Sequence, residues 1–478
     1  MSPKVFGNLY RLALVPLTAA VFVATGCSGS SMTSTDTQSG VTGSTFVVGT
    51  DAPMASVVSL NVQIMSVTAT PTGGGTAVNL MSGTPSVDFA RYNGLQTLLD
   101  MNDVPQGSYS TINIVLGNGT IGYLNTTSTP PTIATLPVSY TNGNNTASIT
   151  LANPLVVKPS SAPVGIRVDF DLAQSIQVTN GAINGEVTPT FDISSVAVGD
   201  QGAYIDEFIA GVVSVDQSGQ SFVVQGPHGE NFTIDVSGST EWDGDASLSA
   251  LNTSSIVQVS GRLDKADQTL DADEVAIISD KGFYATGQIT YVSPSSGPAS
   301  SFDLYVRALE PTNTGLSLGQ IATVDLTGSE KYFIYWAHNP LTEFLFNSSS
   351  LVAGQDIAMG GPASGAASSS DVTVDRIHLR NWGFNGTIVA NSQSAGDGTF
   401  QMQVDGFAGV LIPETVTVYL GPACDFRYGL AAFSDLANGA KIRVVGLLLE
   451  NSTNGQVVLV ARHIDGLDFT DMTTTAWQ

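Results

Sequence analysis

Gly211-Val212-Val213-Ser214-Val215 recurs as Gly287-Gln288-Ile289-Thr290-Tyr291-Val292 and again as Gly386-Thr387-Ile388-Val389. Each copy is short, rich in β-branched residues and bounded by a Ser/Gly turn, so each reads as a strand. An aromatic strand follows each: Phe222-Val223-Val224, Phe302-Asp303-Leu304 and Phe400-Gln401-Met402. Next come Thr233-Ile234-Asp235-Val236-Ser237-Gly238, Thr323-Val324-Asp325-Leu326-Thr327-Gly328 and the poorer Thr417-Val418-Tyr419-Leu420-Gly421. A strand ending in Gly follows at Val257–Gly261, Ile357–Gly360 and Ile442–Gly446, and each unit closes near Val275, Ile377 or Ile464. The starting glycines lie 76 and 99 residues apart; insertions around Pro294–Ser301 and Pro311–Leu318 lengthen the second unit. That spacing suits three small domains in series rather than a solenoid. Five or so strands per unit, each unit with its own apolar set, predict small barrels whose closure removes exposed sheet edges.

Upstream, residues 46–200 carry many short strands between Gly, Pro and Asn turns. Val58, Leu60, Val62 and Ile64 alternate with period two, and Thr111–Leu116, Ala147–Leu151, Val164–Leu172 and Thr188–Val198 continue the pattern. A short helix is expected over Leu95–Met101. The arrangement argues a β-sandwich. The whole chain is therefore expected to be all-β, a sandwich followed by β modules over 205–280, 283–381 and 382–470, with a tail at 471–478.

The composition agrees. The chain has 478 residues, 42% of them hydrophobic and only 12% charged, enough to build several cores. The net charge of −25 and the repulsion of a phosphate backbone argue against a nucleic-acid partner.

Asp51-Ala52-Pro53, LQTLLDMNDVPQGSYSTINIVL at 95–116, GIRVDFDLAQSI at 165–176 and Thr188-Pro189-Thr190-Phe191 together resemble the domain-of-unknown-function family 4382. Members occur in bacterial and archaeal secreted and lipid-anchored proteins. The family has no established activity, so the resemblance implies no catalytic residue. Asp51 reads as a backbone hydrogen-bonding residue beside a Pro-set turn, with a ligand or cation role as the alternative. The three repeats resemble the domain-of-unknown-function family 5666, a small extracytoplasmic β module.

Residues 1–26 have a basic start at Lys4 and Arg11, then an apolar run, Leu12–Ala24, too short to span a bilayer comfortably. Ala24-Thr25-Gly26-Cys27 follows and resembles a bacterial lipoprotein signal, although Ala24 stands where Leu is usual. The resemblance implies a diacylglycerol thioether on Cys27 and a further acyl chain on its freed amine, a stable anchor. An ordinary secretory signal with an incidental Cys is the alternative. Ser28 follows, not Asp, which favours the outer membrane. Residues 27–45 then read as the lipidated Cys and a flexible tether, with a reach of about 25 Å. Once Cys27 carries lipid, Cys424 has no intramolecular partner and reads as a small buried residue.

Catalytic chemistry is hard to find. Gly315-Leu316-Ser317-Leu318-Gly319 matches a hydrolase elbow, but no strand leads into it and a strand, not a helix, follows. His228, His338, His378 and His463 are scattered without metal-ligand spacing. Asp243-Gly244-Asp245 and the acidic run Asp264–Glu274 fit turn chemistry, with weak Ca²⁺ binding as the alternative. No other cofactor is expected. Trp242, Tyr332, Phe333 and Phe426 follow the same recurring Gly in their units. Recurrence at one position reads as a shared core anchor; a sugar-stacking platform is the sharper alternative. The expected function is non-catalytic: a lipid-anchored, extracytoplasmic envelope protein with a structural or ligand-binding role. Its partners are the membrane through the anchor, and a polysaccharide or another envelope protein. A carbohydrate-binding surface lipoprotein is the first rival, a hydrolase the second.

Overall fold

The computed structural model describes residues 41–467, apart from residues 53, 55–56, 93, 126, 160–161, 180–181, 226–230, 265–268, 313, 336–343, 406–411 and 452–453. The fold is all-β. Among the described residues one α-helix occurs, the single turn Leu172–Ser175, whose N-cap Asp171 accepts the Gln174 N–H. No helix among them is long and apolar enough to cross a membrane.

The first folded unit is a sandwich. A four-stranded sheet runs Phe191–Ala197, Val164–Asp171, Thr42–Ala52, Thr97–Pro105. It faces a sheet centred on the long strands Val57–Pro71 and Gly107–Asn125. Val47, Ile166 and Phe170 meet Leu60, Val62, Ile112 and Ile114 in one core. The alternate residues Phe46 and Val48 point the other way, into the core of the next module. The four-stranded sheet is thus buried on both faces.

That double burial explains one miss. Residues 95–101 do not form the expected helix; Thr97–Pro105 is a strand antiparallel to Thr42–Ala52. Leu98 packs into the module core and Leu99 into the sandwich core. Adjacent apolar residues that serve two cores erase the period-two signature.

The three repeats share one topology. Within each, strands lie side by side in the order third, second, first, fifth, sixth, fourth. In the first module these are Asn231–Asp235, Ser221–Gln225, Tyr204–Asp216, Ile256–Leu263, Leu270–Ser279 and Glu241–Asp243. In the second they are Ile321–Asp325, Ser301–Glu310, Gly282–Ser293, Asp356–Pro362, Arg376–Leu379 and Lys331–Ile334. In the third module one strand, Thr415–Arg427, serves as both third and fourth, shifting register between Leu420 and Asp425, and the barrel is closed. The aromatic strands coincide: Phe222 faces Ile234, Phe302 faces Val324 and Phe400 faces Val418.

The glycines at the repeat starts do not all coincide. Gly287 pairs with Ile357 and Gly386 with Ile442, but the equivalent partner, Val257, pairs with Ala210 rather than Gly211. A Cβ on Gly287 or Gly386 would collide with the carbonyl of Tyr305 or Gln403, whereas one on Gly211 meets open space.

The modules are not insulated from each other. Leu447, Leu449, Val458 and Val460 of the third module complete the core of the second. Ile256, Ala276 and Ile278 of the first pack with Tyr284, Ala308, Tyr335 and Ala358 of the second.

Candidate functional site

Charged side chains are scarce in this chain, yet several are buried where the sandwich and the modules meet. Leu304-Tyr305-Val306-Arg307-Ala308-Leu309 places a guanidinium inside an apolar strand, and Arg380 and Arg443 are likewise 2% and 3% exposed. A buried guanidinium needs counter-charge and acceptors, which are supplied by other units of the fold.

The result is a chain of alternating charge. Arg91 of the sandwich lies 3.7 Å from Glu207 of the first module. The other Glu207 oxygen meets Arg380 of the second module. Arg380 reaches Asp356 at 2.6 Å, and Asp356 reaches Arg307 at 3.3 Å. Gln258 Oε1 accepts from Arg380 Nε at 3.2 Å. Arg307 ends the chain firmly: it donates to the Val58 carbonyl at 3.0 Å and Gln288 Oε1 at 3.2 Å, and stacks 4.2 Å above the Trp382 ring of the third module. All four folded units contribute. Burial, with Arg91 adding to it, draws the Arg380 pKa down to about 9, so its charge survives at neutral pH.

A second junction surrounds Asp169, between Arg167 at 2.9 Å and Arg443 at 3.3 Å. Burial works against the Asp169 charge, yet Arg443 and Arg167 hold its carboxyl below the usual range. Arg443 Nε also donates to Asn385 at 3.0 Å, and Arg167 Nε to Gln96 at 3.0 Å. Nearby, burial pushes Asp465 up to about 6 and His463 well below its ordinary value.

The residues singled out from the sequence are not brought together. Trp242 pairs with Val275, Tyr332 with Ile377 and Phe426 with Ile464, so these three occupy one position in the three modules. Each is half-buried and packs on the core of its own module. Phe333, one residue on, stacks on His378 at 4.7 Å. It also fills the space a side chain at Gly244 would need. Phe333 is therefore part of the contact between the first two modules.

Asp245, in the acidic Asp243–Asp245 turn, binds Arg376 at 2.6 Å and Lys331 at 2.8 Å. Burial raises its carboxyl, but those hydrogen bonds outweigh it and hold the pKa at about 2. Glu274 takes Arg462 at 3.3 Å. Among the described residues no group of His, Cys, Asp and Glu is placed to hold a metal ion. Asp51 is buried and accepts the Gly94 N–H at 2.9 Å, a contact to the backbone of the turn that precedes Thr97–Pro105. Cys424 is half-buried, and burial pushes its thiol up to about 12. His378 is 1% exposed and burial lowers it to about 3. Gly315–Gly319 is a loop. Cys27, His228 and His338 lie outside the described residues.

The buried arginines are what sequence reading missed. Their signal was present: Arg307 and Arg443 interrupt otherwise apolar strands.

Beside the first ion-pair chain, sandwich, first module and second module enclose a cleft of about 790 Å³. Arg91, Leu98, Phe208, Val212 and Tyr284 are among its walls.

A sandwich, three repeated β modules of which the third is a closed barrel, and shared charged junctions define an all-β, multi-unit chain. Residues 42–187 match the family described as Domain of unknown function (DUF4382), and residues 210–276 match Domain of unknown function (DUF5666). The first match is the resemblance expected of the sandwich; the second covers the first of the three repeats expected to resemble that family, in the expected order. No curated protein matches the chain.

Proposed function

We propose that this is a non-catalytic, lipid-anchored protein of the cell envelope, extracytoplasmic and held at the outer membrane, with a structural or ligand-binding role. The observation that carries the non-catalytic part is the location of the reactive groups. His378 and His463 are buried and held neutral, and the buried arginines are bound to carboxylates that link one folded unit to another. Such groups are committed to holding the units in one arrangement. The anchoring part rests on Ala24-Thr25-Gly26-Cys27 after its basic start and apolar run. The test is Cys27→Ala with acyl labelling and membrane fractionation. Loss of label and release from membranes are expected; unchanged membrane partitioning would refute anchoring.

A further inference from the structure

The ion-pair chain Arg91–Glu207–Arg380–Asp356–Arg307 has three guanidiniums and two carboxylates. A third carboxylate, Asp88, is buried nearby; burial raises its pKa while Arg307 and Arg91 pull it down. The Arg307 end is fully coordinated, by a carbonyl, an amide oxygen and the Trp382 ring. Arg91 is the least satisfied of the three guanidiniums: its ion pair is the longest of the four at 3.7 Å. Its Nε is buried without a hydrogen-bond partner among the described residues. Asp88, close in sequence, gives an oxygen to the Leu60 N–H instead. Arg91 is also 27% exposed, and the space it opens onto is the 790 Å³ cleft. Leu98, Phe208, Val212 and Tyr284 line that space beside it, and Glu310, the remaining charged residue in the lining besides Glu207, is solvent-exposed.

A guanidinium with donors to spare, next to an apolar wall, matches a ligand with a carboxylate at one end and an apolar body. We propose that this cleft binds a small amphipathic carboxylate, the carboxylate on Arg91 and the apolar part between Leu98, Phe208, Val212 and Tyr284. This gives the ligand-binding half of the proposed function a site and a ligand class. Its test leaves Cys27 untouched, so either reading can fail alone.

The experiment is calorimetric titration of the full-length protein with octanoate and with the isosteric neutral octanamide. Octanoate should bind saturably and about ten-fold or more tighter than octanamide, the margin expected of a charge-assisted hydrogen bond. Arg91→Gln should erase that preference. Gly211→Phe places a side chain in open space on the cleft wall and should block both ligands without touching Arg91. Circular dichroism checks that the variants fold. No saturable octanoate binding, equal affinity for octanamide, or retention of the preference in Arg91→Gln would overturn the proposal. Should Arg91→Gln fail to fold, undiminished octanoate binding by Gly211→Phe would overturn it instead.

Discussion

Replacing Arg380 with Met tests whether buried charge holds the first two modules in register. The side chain is 2% exposed and donates to Asp356, Glu207 and Gln258. Met preserves much of the aliphatic volume, so packing changes little. Glu207 would keep only Arg91, at 3.7 Å, and Asp356 only Arg307, at 3.3 Å. Removing one partner from a buried pair typically costs about 3–5 kcal/mol, chiefly because a charge is left stranded. That is a large fraction of the roughly 5–15 kcal/mol by which domains are stable. Urea denaturation followed by tryptophan fluorescence should therefore show a much lower midpoint. Burial already pushes Asp356 up to about 8 in the native protein, and loss of Arg380 raises it further, so the folded variant holds a proton that the unfolded chain has lost. The deficit should then shrink on acidification from about pH 9 to about pH 7. Converting Glu207 and Asp356 to Leu in the same variant should recover much of the loss. A deficit below about 1 kcal/mol, or a triple variant no more stable than the single one, would refute the reasoning.

Three further outcomes are expected. His378 is buried with its pKa lowered to about 3, so its contribution is complete above pH 6.5 and is lost as pH falls toward 3. It costs about 1.4 kcal/mol per pH unit in that window, and His378→Leu should flatten the acid limb of a stability–pH profile by that amount. Cys424, with its thiol pushed up to about 12, should alkylate far more slowly at pH 7.5 than an exposed model thiol; equal rates would contradict its half-buried setting. Phe222→Ala, deleting a side chain 1% exposed at the centre of the first module, should cost about 3–5 kcal/mol in the same urea assay.

The repeats were legible because each unit needs the same local chemistry: a strand, a turn, an inward aromatic. Phe222, Phe302 and Phe400 align in the sequence and occupy equivalent pairs in the three modules. Gly211 was misaligned by one position because a local Val-rich run disguised a register that only the partner strand fixes. Ala210 is the true counterpart of Gly287. The helix expected near Leu95 failed for a different reason, two cores sharing one strand. The junctions were the least visible. Arg380 and Glu207 are 173 residues apart, and Arg443 and Asp169 are 274 apart. Such pairing depends on how whole units dock, which no local periodicity encodes.

Thr42–Ala52 is the strand nearest the chain's start in the described fold, and it lies inside its sheet with a ladder on each side. A pull on its leading end, directed along its own axis, does not peel hydrogen bonds off one by one. It loads the parallel register from Thr45–Val164 to Ala52–Asp171 and the opposing ladder to Thr97–Pro105 together, in shear. Were the proposed anchor at Cys27 to hold the body at a membrane, this would be the mechanically resistant way to attach the handle. Drag on the protein would be met by two whole ladders at once, before any module is asked to unfold.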